Sequence, residues 1–405
     1  MLPFARRCRD FGVSIHVLDV RGEVEAPTRF PSWIHADTVH AETVPALRWI
    51  DIGTDLGMER IQRFVASTGA NGLISADELT LRWLARRRNL FEPQCRVMAP
   101  QADVLERLLS KQVQVDIAGQ AGFDVLKTWY LERAGDGAEI PETQFPICVR
   151  PTYPNSVEPP FKAKVLASRP QMTSWLGSLK AIRHPLVAQP FRVGPNLIVH
   201  GARDLTGKVL ALTGFRTVRK FQGFAQSIER FQLTPKLQEN CRRFIEIAGL
   251  VGPFHFDLLH SEAEDRTYYL EVNTRMGGTT GKVVGLGYDE PALTLEAFGA
   301  KPPRRAPLTT VGLRVTSLRS VARQIVDTLG SGQPDEFRYP LEGRSATLFH
   351  SLRELALVND PGIGIDGLAG SALRLVRPRA KTAIAAIISK TSVAGPAPSH
   401  KKPKP

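Results

Sequence analysis

The stretch GPFHFDLLHSEAEDRTYYLEVNTRMGGTTG, residues 252–281, decides how the chain is read. FHFDLL and TYYLEVN are apolar-alternating segments joined by the polar run SEAEDR, the pattern of an antiparallel hairpin. A period of two puts His255 and Asp257 on one face of the first strand, and Glu271 and Asn273 on one face of the second. Asp257, Glu271 and Asn273 can therefore converge across the pair. Two carboxylates and an amide oxygen suit a hard cation such as Mg2+, which keeps few protein ligands and draws the rest from phosphate and water. The same spacing also fits a solvated polar face. Directly after the second strand, RMGGTTGK (Arg275 to Lys282) is rich in glycine, so its backbone amides either line a small anion site or form a plain flexible connection.

Upstream of this hairpin the pattern changes twice. The first hundred residues alternate strands (GVSIHVLDV, ALRWIDIG, NGLIS, CRVMAP) with amphipathic helices (DLGMERIQRFVAST, DELTLRWLARRRNLF). That alternation predicts a parallel sheet covered by helices, a Rossmann-like half-domain. Its usual first strand and glycine-rich turn are missing, because the chain opens in the helix-like LPFARRCRDF. Either the sheet begins there or the true start lies upstream. From Gln101 a helix runs through DVLERLLSKQVQVDIAGQAG, followed by short alternating strands and the helix TPKLQENCRRFIEIAG, which is an α+β pattern. The layout is thus an α/β domain at 1–105, an α+β domain of two halves at 106–300, a small segment at 301–380 opened by the Pro-rich KPPRRAP, and a tail at 381–405.

The composition narrows the function classes. With 405 residues and 42% hydrophobic content the chain can bury more than one core. Cys8, Cys95, Cys148 and Cys241 are far apart and show no metal or disulfide spacing, which points to a reducing compartment and a cytoplasmic location. No apolar run is long enough to span a bilayer. The net charge of +13 would suggest a nucleic-acid partner, but eight Lys/Arg and no acidic residue fall between Ser371 and Pro405. The excess therefore belongs mainly to a Pro/Ala/Lys tail without interleaved aromatics, and nucleic acid is not the expected partner.

YLEVNTR resembles the metal-binding signature of the ATP-grasp superfamily, the group containing biotin carboxylase, carbamoyl-phosphate synthetase and D-alanine:D-alanine ligase. The order of elements over residues 1–300 is similar as well. The resemblance implies a Rossmann-like pre-ATP-grasp domain followed by an ATP-grasp domain of two α+β subdomains, using ATP with Mg2+, or Mn2+ in its place. Asp257, Glu271 and Asn273 become the metal ligands, with Arg275 near the transferring phosphate or the substrate carboxylate. Lys111, in LLSKQ, matches the first nucleotide-binding lysine of the family; taken alone it is an ordinary helical lysine. FPICVRP matches the strand that normally ends in a second phosphate-contacting lysine, and here Arg150 keeps the charge with a planar fork.

Other matches carry departures. AQPFRVG resembles the hinge strand facing adenine, which makes Gln189, Pro190, Phe191 and Arg192 the contact run, but Pro190 replaces the usual acidic residue and lacks an N–H. PTYPNSVEPPFKAKV, residues 151–165, occupies the place of a glycine-rich phosphate lid and contains no glycine. Lys162 and Lys164 either bring charge to that loop or are ordinary exposed lysines. In RTVRK the residues Arg216, Arg219 and Lys220 either stabilise a charged intermediate or form a solvated strand edge.

The implied activity is an ATP-dependent ligase that activates a small carboxylate as an acyl phosphate for attack by an amine or thiol, with Arg275, Arg216 and Arg219 steadying the charge. His255 is a local base or a packed strand residue. Two other classes stay open: an ATP-binding protein without ligase activity, suggested by Arg150 and the glycine-free lid, and a scaffold or nucleic-acid-associated protein acting through its tail. Small-molecule partners and no membrane are expected, with a homodimer as one oligomeric option.

Overall fold

The computed structural model describes residues 2–22, 35–44, 49–51, 55–75, 77–153, 156–301, 307–308, 312–330 and 336–356. The expected tail and most of KPPRRAP lie outside the described residues. The central feature is a seven-stranded sheet in the order Arg314–Thr316, Phe224–Phe231, Val209–Phe221, Asn196–Arg203, Gly252–Ser261, Arg266–Asn273, Asp124–Val125. Every adjacent pair is antiparallel except the last, which is parallel. One face presents Leu197, Val199, Phe254, Phe256 and Leu258 to the helices Lys111–Ala121 and Pro235–Ala248, where Phe123, Phe244 and Tyr269 complete the largest core. The other face carries Ile198, Phe215, Ile228 and Val315 against Val283, Leu286 and Tyr288.

Local signals explain the covering helices. Thr234 caps Pro235–Ala248 by accepting from the Leu237 N–H at 3.2 Å, proline stands in the first turn, and Gly249 ends the helix at φ 68°. Cys241, Phe244, Ile245 and Ala248 then fall on one buried stripe. A second, four-stranded antiparallel sheet orders Lys164–Leu166, Ile147–Pro151, Leu186–Pro190 and Trp129–Leu131, and helix Arg169–Gly177 covers it with Met172 and Leu176. These two sheets with their helices hold most of residues 106–300, and the larger sheet also takes in Arg314–Thr316 from the segment after it.

Three elements depart from the sequence reading. The helix expected through 103–122 is broken at Ser110 into Ala102–Leu109 and Lys111–Ala121. Ser110 is extended (φ −73°, ψ 115°) and caps the second helix by accepting from the Val113 N–H, a serine preference that wins over helix continuity. The N-terminal strands do not merge into one doubly wound sheet among the described residues. His16–Gly22 pairs in parallel with His35–Val44, which pairs antiparallel with Trp49–Asp51, while Gly72–Leu73 and Arg96–Val97 form a separate parallel pair. His35–Val44, HADTVHAETV, has too few apolar residues for an alternation rule to find it. Residues 312–356, weakly patterned in sequence, supply the sheet's edge strand and the packed helices Leu318–Gly330 and Arg344–Ala356.

Gln114 ties helix to sheet. Its amide donates to the Leu108 carbonyl at 2.5 Å, and its oxygen accepts from the Tyr269 hydroxyl and the Val272 N–H, both at 2.9 Å. All of this is buried, so Gln114→Leu leaves a hydroxyl and a backbone N–H without partners. The expected loss is about 2–4 kcal/mol in urea unfolding; a loss under about 0.5 kcal/mol, the range of neutral surface changes, would mean the bridge is dispensable.

Candidate functional site

The hairpin sets the geometry. Asp257 lies opposite Glu271 and His255 opposite Asn273, while Leu258 pairs with Tyr269, so the second strand carries one extra residue, Leu270. This bulge changes the phase of the strand. Tyr269 and Val272 both enter the helix-side core, although an unbroken strand would send residues three apart to opposite faces. Glu271 and Asn273 are thereby turned to the opposite face, where Asn273 donates to Asp257 at 3.4 Å.

Countercharge arrives from other elements. Lys111, placed in the first turn of its helix by the break at Ser110, pairs with Glu271 at 2.5 Å. The charge of Lys111, opposed by burial and joined by Arg150 and Lys162, holds the Glu271 carboxyl well below the usual range. Asp257 shares the desolvation without a direct partner of that kind, and burial followed by repulsion from Glu271 pushes it up to about 7. Arg150 is fixed by donating to the Gln189 side chain at 2.7 Å, and Gln189 in turn donates to Thr128 at 2.9 Å. Lys162 reaches in from the exposed lid segment with its ammonium 3.9 Å from the centre of the Phe224 ring.

A buried imidazole pair underlies the carboxylates. His255 stacks on His200 with centroids 5.0 Å apart at 14°. His200 bonds Glu290 at 2.8 Å through Nδ1 and Thr279 at 3.0 Å through Nε2, and His200 and Glu290 are both fully buried. Burial would raise the Glu290 carboxyl, but the charge and hydrogen bond of His200 bring it below its ordinary value. Burial, then the charge of His200, push His255 down to about 3, so it is neutral. Its Nε2 lies 4.0 Å from Asp257, and its buried Nδ1 has no partner. Gly277 rests on this ring: a Cβ there would come within 2.5 Å of His255 Cε1, so the loop after the carboxylate strand requires glycine at that point.

The structure separates the remaining sequence candidates. Arg275 lies beside the carboxylate strand, 3.9 Å from Glu78. Lys164 is exposed in the edge strand, paired opposite Val149, and Lys162 is the lid lysine whose charge acts on Asp257 and Glu271. In the hinge run the side chain of Gln189 is buried and engaged with Arg150, Pro190 sits opposite Ile147, the Phe191 N–H donates to Pro146, and Arg192 bonds Glu264 at 3.0 Å. Arg216 faces Glu262 at 3.7 Å, and Arg219 is gripped by both oxygens of Glu342 at 2.7 and 3.3 Å. Arg216 is paired opposite Leu197 of the helix-side face, whereas Asp257 is paired opposite Ile198 of the other face, so Arg216 does not converge on the carboxylates. Lys220 bonds Asn196 at 2.9 Å.

Sequence reasoning missed Glu78, His200 and Glu290. His200 and Glu290 are 90 residues apart and neither lies in a recognisable motif. The donor set fits a hard divalent cation: hard oxygen ligands on facing strands, with one carboxylate short of countercharge. Among the described residues no three His, Cys, Asp or Glu side chains are placed to hold a metal, so the amide oxygen of Asn273 is needed as third donor. No helix among them is long and apolar enough to cross a membrane.

No family model and no curated protein matches the chain. Solved structures do. The biotin carboxylase domain dimer of Hydrogenobacter thermophilus 2-oxoglutarate carboxylase, in complex with MgADP, ADP and bicarbonate, superposes with a TM-score of 0.55 at 13% identity over 75% of this chain and 68% of that one. An ADP complex of N5-carboxyaminoimidazole ribonucleotide synthetase gives 0.58 at 11% identity over 88% and 93%. The L-amino acid ligase of Bacillus licheniformis gives 0.54 at 14% identity over 76% and 75%. At these identities the likeness establishes the fold alone: this chain folds as these three proteins do.

The raised Asp257 has a measurable consequence for the metal-free protein. Between the unfolded value near pH 4 and the folded value of about 7, the folded chain keeps a proton that the unfolded chain has lost, so stability falls as pH rises. Asp257→Asn removes that dependence. Its advantage over wild type in urea unfolding should grow by about 1–3 kcal/mol from pH 4 to pH 8; the same difference at both pH values would show that Asp257 ionises normally.

Proposed function

We propose that the chain is an ATP- and Mg2+-dependent ligase that activates a small carboxylate as an acyl phosphate for attack by an amine or thiol. The observation that carries this reading is the opposed pair Asp257 and Glu271, with Asn273 beside it and Lys111 bonded to Glu271. Asp257, Glu271 and Asn273 would hold Mg2+, which when bound supplies positive charge to the nucleotide phosphates. Lys111 and Arg150 would neutralise phosphate oxygens, Arg150 with its fork already oriented by Gln189. Lys162 would cover them from the lid. In the hinge run, where Gln189, the Phe191 N–H and Arg192 are already engaged, main-chain carbonyls are left to read the adenine edge.

Arg275 would hold the substrate carboxylate beside the phosphates. One carboxylate oxygen forms a bond to the γ-phosphorus as the bond from that phosphorus to the β,γ-bridging oxygen breaks, releasing ADP. The amine nitrogen then bonds to the acyl carbon, the carbon–oxygen bond to phosphate breaks, and the surplus amine proton passes to water. The protein's contribution is positioning and preorganised charge, without a side-chain nucleophile. Arg216 and Arg219 have weaker support than Arg275, because Glu262 and Glu342 engage them.

The test follows ADP release across a panel of carboxylates and amines. Glu271→Ala should lower Mg2+-dependent turnover at least about 100-fold and Lys111→Ala about 10- to 100-fold, the scale of losing a charged group at a reacting centre. Unchanged turnover in Glu271→Ala would refute the metal assignment. Mg2+-dependent ATP binding without ADP release for any pair would instead favour a nucleotide-binding protein without ligase activity.

A further inference from the structure

Lys162 differs from several cations of the same region in the kind of partner it has. Arg192, Arg216 and Arg219 face Glu264, Glu262 and Glu342, carboxylates that cancel their charge. The Lys162 ammonium lies 3.9 Å from the centre of the Phe224 ring, a contact that orients a cation without neutralising it. The two residues come from different sheets. Lys162 stands just before Lys164–Leu166, the edge of the four-stranded sheet, and Phe224 opens the strand Phe224–Phe231 of the seven-stranded sheet.

Both ends of the contact are anchored. Phe161 packs edge-on against Trp175, with centroids 4.9 Å apart at 85°, on the core of the four-stranded sheet, while the next side chain, Lys162, reaches the other sheet. Phe224 follows a two-residue turn, Gln222–Gly223, in which both residues have positive φ (51° and 74°), as a tight hairpin requires. Tyr339 braces that hairpin end by exchanging main-chain hydrogen bonds with Lys220 at 2.8 and 3.3 Å. The Phe224 ring is 58% exposed, so burial in a core does not account for an aromatic residue there. The charge of Lys162 acts on both Asp257 and Glu271, which puts the ammonium at the candidate site.

We propose that Phe224 is the seat of the lid, a positioning residue whose ring joins the two sheets through Lys162 and holds that ammonium ready for a bound phosphate. The phosphate role rests on the ligase reading; the seat itself does not. An ammonium has three N–H donors. A ring covers one side of it and leaves donors on the other for phosphate oxygens. The lid segment 151–165 contains no glycine, so its backbone cannot approach phosphates as a glycine-rich loop does, and a held lysine takes over that contact. A cation on a ring between exposed groups shifts an equilibrium roughly two- to fivefold.

The experiment is a double-mutant cycle on the full chain between Phe224→Leu and Lys162→Gln, read in two ways. Without nucleotide, hydrogen exchange across residues 157–166 reports how often the lid opens. Phe224→Leu should speed that exchange roughly two- to fivefold, whereas Phe224→Trp, which keeps an aromatic face, should hold it at or below the wild-type rate. In the Lys162→Gln background Phe224→Leu should add nothing. Calorimetric titration with the Mg2+ complex of a non-hydrolysable ATP analogue should follow the same pattern, with binding about two- to fivefold weaker in Phe224→Leu and no further loss in the double variant. Unchanged exchange in Phe224→Leu, an equal acceleration in Phe224→Trp, or the same acceleration with and without Lys162 would overturn the proposal. Coupling in exchange without coupling in the titration would overturn the phosphate role and keep the seat. A wild-type chain that binds no nucleotide counts against the ligase reading, and the exchange arm still decides the seat.

Discussion

Two carboxylates held face to face on neighbouring strands repel each other, and the arrangement around the site is a response to that repulsion. Asp257 and Glu271 are only 24% and 30% exposed, so water screens them poorly. The structure compensates one of them fully, through Lys111, and leaves the other dependent on more distant charge and on its own proton. The compensating cations come from separate places: the start of a helix packed on the large sheet, the centre of the four-stranded sheet, and the lid segment. On the proposed reading a divalent cation would complete what these side chains leave undone, and its affinity would be tied to the pH-dependent cost of Asp257.

Backbone irregularities make this placement possible. Without the bulge at Leu270, Tyr269 and Glu271 would share a face, and either an aromatic ring would leave the core or a carboxylate would enter it. Gln114 holds the bulge in place by bonding Tyr269 and Val272, the residues on either side of it. Gln114 lies three residues after Lys111 on the helix that Ser110 starts. One short helix thus fixes both the phase of the Glu271 strand and the position of its principal counterion.

This division explains what was legible in the sequence. The trio Asp257, Glu271 and Asn273 could be read because it sits on two alternating segments joined by a polar turn, and the α+β layout could be read from the spacing of short apolar runs. Alternation alone assigned the right face to Glu271 for an incomplete reason, since the bulge rather than strict period two produces it. Ser110 was hidden because its flanks, DVLERLL and KQVQVDIAGQA, each look helical; only the capping preference of serine marks the break. Glu78, His200 and Glu290 were not legible, because their roles depend on partners 197 or 90 residues away in the chain. Nothing in the sequence marked Glu342, in the weakly patterned C-terminal segment, as the partner of Arg219.

The imidazole floor gives the site a direction. His255 is neutral and its stacked neighbour His200 is matched by Glu290, so the layer beneath the carboxylates adds almost no net charge. A ring at this point still excludes water and supports the Gly277 loop, which a charged or flexible side chain would do less well. The positive charge that acts on Glu271 comes instead from Lys111, Arg150 and Lys162. Arg150 and Lys162 belong to the half that contains the four-stranded sheet and the lid, whereas Asp257 and Glu271 belong to the seven-stranded sheet. On the proposed ligase reading, a polyanion with its cation would satisfy both surfaces at once, phosphate taking up the cations of one half and the metal the carboxylates of the other.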